Sequence, residues 1–409
     1  MKQRFDIFRF LFRVSVVFMV FLLYSTFILN VKFLVYRDLP RPPAVSPRYN
    51  TSTDTGGSVL AGEIRPQPRE SIGQENACIV MLVRNSERWG ALSTLRTFEA
   101  TFNAKYQYPY YFFNNEPFDK GFKDAITMAT SAPVYFEQLA PEHWSLPPTW
   151  DRAEFLDSIK NHPDQNARKE SYHYMCRFYS GFMAVQPALK SFKYYWRIEP
   201  DVIYYCPLNY DPFELMRVKK KRYGFNIVGS EIESTIPTLW PSTLEYLRVR
   251  NLPFPPHLRA FERERTDPSA PSEYNLAHFW SNFEIGDLDF FRSREYQDYF
   301  YFLDSKGGFF TERWGDAPVH SLAVGLFMDP SEVHYFYDIG YNHGGYMHCP
   351  EDIPSHGLTF EACKCNPHVM DLGVIPIDRV FWGETSQKYL AFLDEYHRNV
   401  TMKKSSRRA

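Results

Sequence analysis

Residues 194–206 read YYWRIEPDVIYYC. Aromatic and β-branched residues fill most of the run, the composition of a buried strand, yet Arg197, Glu199 and Asp201 interrupt it. A carboxylate in such a run is costly unless it is paired or bound to a metal. Pro200 lacks an N–H and cannot continue a central ladder, so the strand is expected to end there, with Glu199 and Asp201 at its carboxyl end. In open α/β sheets that edge is where ligands bind. Two oxygen donors there suit Mg²⁺ or Mn²⁺ bridging a diphosphate; the plainer alternative is a salt bridge to Arg197.

The sequence on either side alternates in the same way. ACIVMLVRN (77–85) is a short apolar run, and in the following ERWGALSTLRTFEATFN the residues Trp89, Leu92, Leu95, Phe98 and Phe102 recur at helical spacing. YPYYFFNNEP, KGFKDAITMAT and VYFEQL repeat strand, helix and strand, which predicts βαβ units: an α/β fold with a mostly parallel sheet flanked by helices. SYHYMCRFYSGFMAV (171–185) reads as the helix leading into the opening strand. Beyond it GFNIVGSEI and HFWSNFEIG (278–286) read as strands, PSTLEYLRVR, SREYQDYFYFLDS and WGDAPVHSLAVGLFM as helices, and VHYFYDIGYNHGG as a strand and loop. NLPFPPHLRAFERERTDPSAPSEYN, rich in Pro and charge, reads as a surface loop. The absence of GxxxxGK[ST] from the sequence disfavours an ordinary P-loop enzyme.

The net charge of -2 and the lack of a basic patch outside the termini exclude nucleic acid as an expected partner. Lys2, Arg4, Arg9 and Arg13 precede VSVVFMVFLLYSTFILNV, a charge-free run long enough to span a bilayer. The expected organisation is a cytoplasmic tail (1–13), a single-pass type II signal anchor (14–36), a Pro- and Ser-rich flexible stem (37–75) and a lumenal catalytic domain (76–409). A cleaved signal peptide is the rival reading, but no clear small-x-small site follows the run. Asn50 and Asn399 open glycosylation sequons. The six cysteines fit an oxidising compartment and disulfides, while HCP (348–350) and CKCNPH (363–368) raise a zinc alternative whose spacing matches no standard site.

Several other groups could carry chemistry. Glu284, between Phe283 and Ile285, is a base or nucleophile candidate against a buried, paired carboxylate. His343, in GYNHGG, could join a metal site, against a merely exposed loop histidine. Asp316 and His320 share a helix face, and an N-cap explains Asp316 equally well. Tyr172, His173 and Arg177 could meet a sugar or phosphate, against an amphipathic core helix. Trp144 and Trp150 could stack on a sugar face, against ordinary packing.

SYHYMCRFYSGF, YYWRIEPD, IPTLW, YNLAHFWSNFEIG, GGFFTERWGDAPVHS and IGYNH, in this order, resemble the fungal type II Golgi α-1,2-mannosyltransferases of glycosyltransferase family 15. The resemblance covers about residues 77–366. It implies a GT-A-type fold, GDP-mannose as donor, a mannoside or glycoprotein acceptor on N- or O-linked glycans, Mn²⁺, a Golgi membrane location and retention of anomeric configuration. Glu199 falls where the family binds metal, in its variant DXD motif, and His343 where it completes the protein's share of that site. Glu284 matches the proposed nucleophile and Tyr172 an active-site tyrosine. Arg84 is placed in the nucleotide pocket, with Asp201 and Asp316 on the donor or acceptor side. One departure is Gly344-Gly345-Tyr346 after His343, where relatives are expected to have Pro and an aromatic residue; two glycines are expected to leave that loop more flexible. Retention is compatible with a covalent intermediate on Glu284 or with same-face attack by the acceptor. Mannosylphosphate transfer and a lumenal lectin that has lost turnover are the alternatives.

Overall fold

The computed structural model describes residues 74–350, except 161, 163 and 268, together with Cys363 and Cys365. The expected tail, anchor, almost all of the stem and both sequons lie outside these residues. Twelve strands are described: β1 Ala77–Leu82, β2 Tyr110–Asn114, β3 Val134–Gln138, β4 Tyr194–Arg197, β5 Ile203–Tyr204, β6 Tyr223–Phe225, β7 Val228–Ser230, β8 Ala277–Phe279, β9 Glu284–Asp287, β10 Val333–Tyr335, β11 Tyr341–His343 and β12 Tyr346–His348. Seven of them form one sheet in the order β10-β6-β9-β4-β1-β2-β3. All its pairs are parallel except those made by β9, which runs antiparallel to both β4 and β6.

The continuous apolar runs have the meaning expected of strands buried on both faces. Successive side chains alternate across the sheet, so Cys78 and Val80 of β1 join one core while Ala77, Ile79 and Met81 join the other. The helices Arg88–Phe98 and Lys120–Ala129 cover the second face, and Glu170–Arg177, Leu239–Val249, Arg294–Lys306 and Asp316–Phe327 cover the first. The result is three layers, helix on sheet on helix.

Four expectations need correction. Trp89 is exposed, because Gly90, Ala91, Thr94, Leu95 and Phe98 set the buried face of its helix; Arg88 lies against the Trp89 ring instead. GFNIVGSEI is not one strand but two, β6 in the large sheet and β7 paired with β8. HFWSNFEIG breaks in the same way: a turn at Trp280–Phe283 sends β8 and β9 into different sheets. The Pro-rich segment after Asn251 does not simply lie on the surface: Leu258, Phe261 and Tyr274 are buried against the first core.

Asp211 supplies a pH-dependent element to this fold. Its carboxylate caps the helix Pro212–Val218 through the Phe213 N–H and accepts from the buried Tyr108 hydroxyl. Burial pushes its pKa from 3.8 to about 6, although both hydrogen bonds oppose the shift. A folded pKa above the unfolded one gives a stabilising contribution that is complete below 3.8 and lost as pH rises through about 6. Asp211→Asn keeps the cap through its amide oxygen, turns an N–H toward the Tyr108 oxygen as the protonated acid would, and cannot ionise. Between pH 4.5 and 7.5 the variant should therefore lose about 1–2 kcal/mol less stability than the parent in denaturant titrations. Parallel pH profiles would remove this role from Asp211.

Candidate functional site

Strand β4 ends at Arg197, and the chain turns through Glu199, Pro200 and Asp201 as the proline predicts. The turn is fastened to the helix Arg88–Phe98. The Thr94 hydroxyl donates to the Glu199 carbonyl at 2.7 Å and accepts from the Val202 N–H at 2.9 Å, and the Asp201 N–H donates to the Gly90 carbonyl at 3.1 Å. Gly90 is required by this close approach, since a Cβ there would lie 2.7 Å from Asp201 Oδ2. Asp201 has φ +61°, a left-handed conformation that Asp tolerates better than most residues. Asp201 is exposed and serves the turn; it does not line the cavity described next.

A cavity of about 210 Å³ opens at the carboxyl ends of β1 and β4. Arg84, Tyr172 and Glu199 line it together, with Asn114, Trp144, Lys169, Arg197 and Asn282. Arg84 follows β1 and donates to Ser171 Oγ at 2.8 Å. Tyr172 accepts from Arg313 Nη1 at 3.2 Å, and Arg313 is itself held by Glu231 and Thr235. Nearby Cys176 and burial hold the Tyr172 phenol well above its usual pKa, so it stays protonated. The arginine can only donate to this oxygen, which leaves the phenol's own hydrogen for another acceptor. His173 and Arg177 of the same helix are core residues: the imidazole bridges the Phe309 and Ala167 carbonyls, and Arg177 pairs with Asp304.

Behind the cavity Arg197, only 2% exposed, joins two carboxylates. Its Nε donates to Glu199 Oε1 at 2.7 Å and its Nη1 to Asp316 Oδ2 at 2.5 Å, while its guanidinium lies 3.4 Å over the Tyr179 ring. The ion pair anticipated as the plain alternative for Glu199 therefore exists beside its exposure to the cavity. Asp316 is the first residue of its helix, with Gly315 at the N-cap, so the capping role is not the one observed. Burial raises the Asp316 pKa, but Arg197, His320 and the Ser281 hydroxyl outweigh it and hold the carboxyl below its usual range. Asp316 does not itself line the cavity; it acts on it through Arg197.

Glu284 is also set back. In the β4–β9 register it stands opposite Arg197, on the same face as Tyr195 two residues earlier. It is fully buried, and its carboxylate accepts from the Tyr195 hydroxyl and from Tyr223 at 2.8 Å, and pairs with His320 Nδ1 at 2.7 Å. Burial disfavours charge on His320, yet Glu284 and Asp316 raise its pKa above the ordinary value. Three partners enclose Glu284, and it does not line the cavity.

The last candidate, His343, ends β11. Antiparallel pairing of Asn342 with Ile203 brings it beside the residue that follows Asp201. Gly344 and Gly345 form a two-residue hairpin turn between His343 and Tyr346, both at positive φ (61° and 104°), rather than an open loop. Tyr346 then stacks on Trp280, with ring centroids 3.9 Å apart. Among the described residues no three His, Cys, Asp or Glu side chains converge on one point. Among the described residues a resident metal would thus find at most two such ligands at one point, and His343 fits one: its Nδ1 is buried with no hydrogen-bond partner. Burial lowers its pKa against the pull of Glu199 and Asp201, which keeps the imidazole in the neutral, ligating form. One carboxylate and one imidazole suit Mn²⁺.

The cysteine cluster is oxidised rather than arranged for zinc: Cys206 is bonded to Cys363 and Cys349 to Cys365, while Cys78 and Cys176 are free and buried. Sequence reading gave Arg197 only a pairing role and missed Arg313, whose signal was its place between two recognisable motifs, GGFFTE and WGDAP.

Known proteins resemble this chain in sequence and fold. The chain is 42% identical over 339 residues to the probable mannosyltransferase YUR1 of Saccharomyces cerevisiae, covering 79% of this chain and 78% of that protein. It is 42% identical over 303 residues to O-glycoside alpha-1,2-mannosyltransferase homolog 2 of Schizosaccharomyces pombe, covering 73% and 78%. The crystal structure of core-mannan synthase A from Aspergillus fumigatus, in its Mn/GDP form, superposes with a TM-score of 0.68 at 38% identity, covering 86% of this chain and 94% of that one. Residues 50–371 match the glycolipid 2-alpha-mannosyltransferase family, and the chain belongs to that family of glycosyltransferases.

Proposed function

We propose that this protein is a retaining α-1,2-mannosyltransferase that moves mannose from GDP-mannose to a mannoside acceptor of N- or O-linked glycans. The observation that carries this reading is the cavity at the sheet's carboxyl edge in which Arg84, Tyr172 and Glu199 meet. Glu199 and His343 would hold Mn²⁺, which supplies a Lewis acid for the diphosphate when bound. Arg84 and Lys169 give the cavity the positive charge that a nucleotide diphosphate needs. The protonated Tyr172 donates a hydrogen bond into it, to a phosphate or sugar oxygen, and is not a base. Arg197 fixes the direction of Glu199, and Asp316 fixes Arg197.

The enclosure of Glu284 favours same-face attack, in which the departing phosphate accepts the acceptor's proton, over a covalent adduct on Glu284. The buried Glu284–His320 pair then serves to hold β9 against the helix Asp316–Phe327. For the whole chain we infer a single-pass type II Golgi membrane protein with its catalytic domain in the lumen. The charge-free run after Arg13 and the two disulfides support this, since such bonds persist in oxidising compartments.

The test uses a soluble fragment that begins upstream of Gln74, because Glu75 already pairs with Arg217. Incubation with GDP-mannose, Mn²⁺ and methyl α-mannoside should give a neutral product with one added hexose and an α-1,2 linkage by NMR. A phosphate-bearing product would replace the reading with mannosylphosphate transfer, and a mannosyl adduct trapped on Glu284 would overturn the same-face route.

A further inference from the structure

A second groove of about 330 Å³ adjoins the first. Its volume lies near the lower end of small-molecule sites, about 300–1,000 Å³. Trp144 lines both spaces, and so does one helix: Ser171, Tyr172 and Met175 face the first cavity, Glu170 and Tyr174 the second. The groove thus neighbours the cavity to which, on the proposed function, an acceptor brings its reacting hydroxyl.

Its chemistry is divided between two walls. Trp144, Pro147, Pro148 and Trp150 make an apolar wall, while Arg152, Glu170 and Tyr174 make a polar one. On the polar wall Arg152 holds Glu170 by two contacts of 2.5 and 3.0 Å, and the Tyr174 hydroxyl donates to the same carboxylate. The apolar wall is fixed in advance. Trp150 fits against Gly307, where a Cβ would come within 2.0 Å of the indole, and its ring packs on Phe310 at 5.8 Å. Trp144 is set edge-on to Tyr174 and Phe178. Both indoles keep part of their surface exposed. An apolar platform facing fixed charged donors and acceptors matches a pyranose, which offers a C–H face on one side and hydroxyls at its rim.

We propose that this groove is a second acceptor subsite, which holds a mannose unit farther along an oligomannoside than the unit that reacts. The proposal rests on the mannosyltransferase reading for the direction of the acceptor. It makes the enzyme sensitive to acceptor length: a single mannoside fills only the first cavity, whereas a longer α-mannoside fills both and binds more tightly.

The experiment compares methyl α-mannoside with α-mannotriose in the parent, Arg152→Ala and Trp150→Leu. Arg152 is exposed and its loss leaves the core intact, so that variant guards against misfolding in Trp150→Leu. Both variants should raise KM for mannotriose about 5- to 10-fold, about 1–1.4 kcal/mol, while leaving kcat, the KM for GDP-mannose and the kinetics with methyl α-mannoside unchanged. Equal losses on both acceptors, or none, would overturn the subsite. Tryptophan fluorescence titration with mannotriose separates the two readings: binding weakened by Trp150→Leu without any turnover would sink the transferase reading and leave the subsite standing. Absence of saturable mannotriose binding in the parent would remove the subsite. A selective loss confined to mannosylated peptides would assign the groove to the peptide portion of the acceptor and overturn the proposal.

Discussion

Arg197→Met should unfold the site from behind. Arg197 is a buried cation shared by Glu199 and Asp316, and burial alone would disfavour its charge. A methionine of similar length fills the space over Tyr179 but leaves Asp316 buried without its hydrogen-bonded Arg197 partner, with only the Ser281 hydroxyl and the charge of His320 to offset its own. Breaking a buried pair from one side costs about 3–5 kcal/mol, because the remaining charge stays in a medium that cannot solvate it. For a domain of this size that corresponds to a fall in Tm on the order of 10 °C, which differential scanning fluorimetry would read. Adding Asp316→Asn to Arg197→Met should recover part of the loss by removing the stranded charge. An unchanged Tm in the single variant would mean that Asp316 finds another partner, and that the Glu199–Arg197–Asp316 chain is not what holds this edge of the sheet.

Glu199→Ala should act in the opposite manner, with a large effect on turnover and a small one on folding. Arg197 keeps Asp316 as its partner, and the Thr94 and Gly90 bonds that fasten the turn are made by backbone atoms of Glu199 and Asp201. Stability should therefore stay within about 1 kcal/mol of the parent. Loss of the carboxylate ligand should lower kcat/KM about 10³-fold or more, the equivalent of several kcal/mol of Lewis-acid assistance. The parent should be thermally stabilised by Mn²⁺ and GDP together, and the variant should lose that stabilisation. Full activity in a well-folded variant would take the metal role away from Glu199.

The two variants also mark what could be read from sequence. The strand ending at Pro200 was legible because composition and the missing N–H are local properties. So were the first two βα units and the strand that follows them, where apolar runs and helical spacing agree. The link from Arg197 to Asp316 spans 119 residues and depends on which helix packs behind β4, which no local pattern specifies. The setting of Glu284 was hidden for a similar reason. Its neighbours Phe283 and Ile285 showed that it is desolvated, but Tyr195, Tyr223 and His320 reach it from three separate elements. Trp89 was misplaced because five residues at helical spacing outweighed a small-residue face, whose value appears only when the helix must approach Asp201 closely. The broken strand at Trp280–Phe283 was read as continuous since aromatic residues fill a turn between two sheets as readily as a strand.

The long disulfide has a consequence for how the protein is made. Cys206 and Cys363 are 157 residues apart, whereas Cys349 and Cys365 are separated by 16. On a ribosome adding about 5–20 residues per second, Cys206 waits roughly 8–30 s for its partner to be synthesised. During that interval the cysteines already made are Cys78 and Cys176, both of which end buried and unpaired. Both are enclosed in the fold, Cys78 within β1 and Cys176 within the helix that precedes β4, so a chain that packs them before Cys363 is made withdraws two wrong partners. Production under conditions that delay packing of β1 should then enrich for scrambled bridges to Cys78 or Cys176.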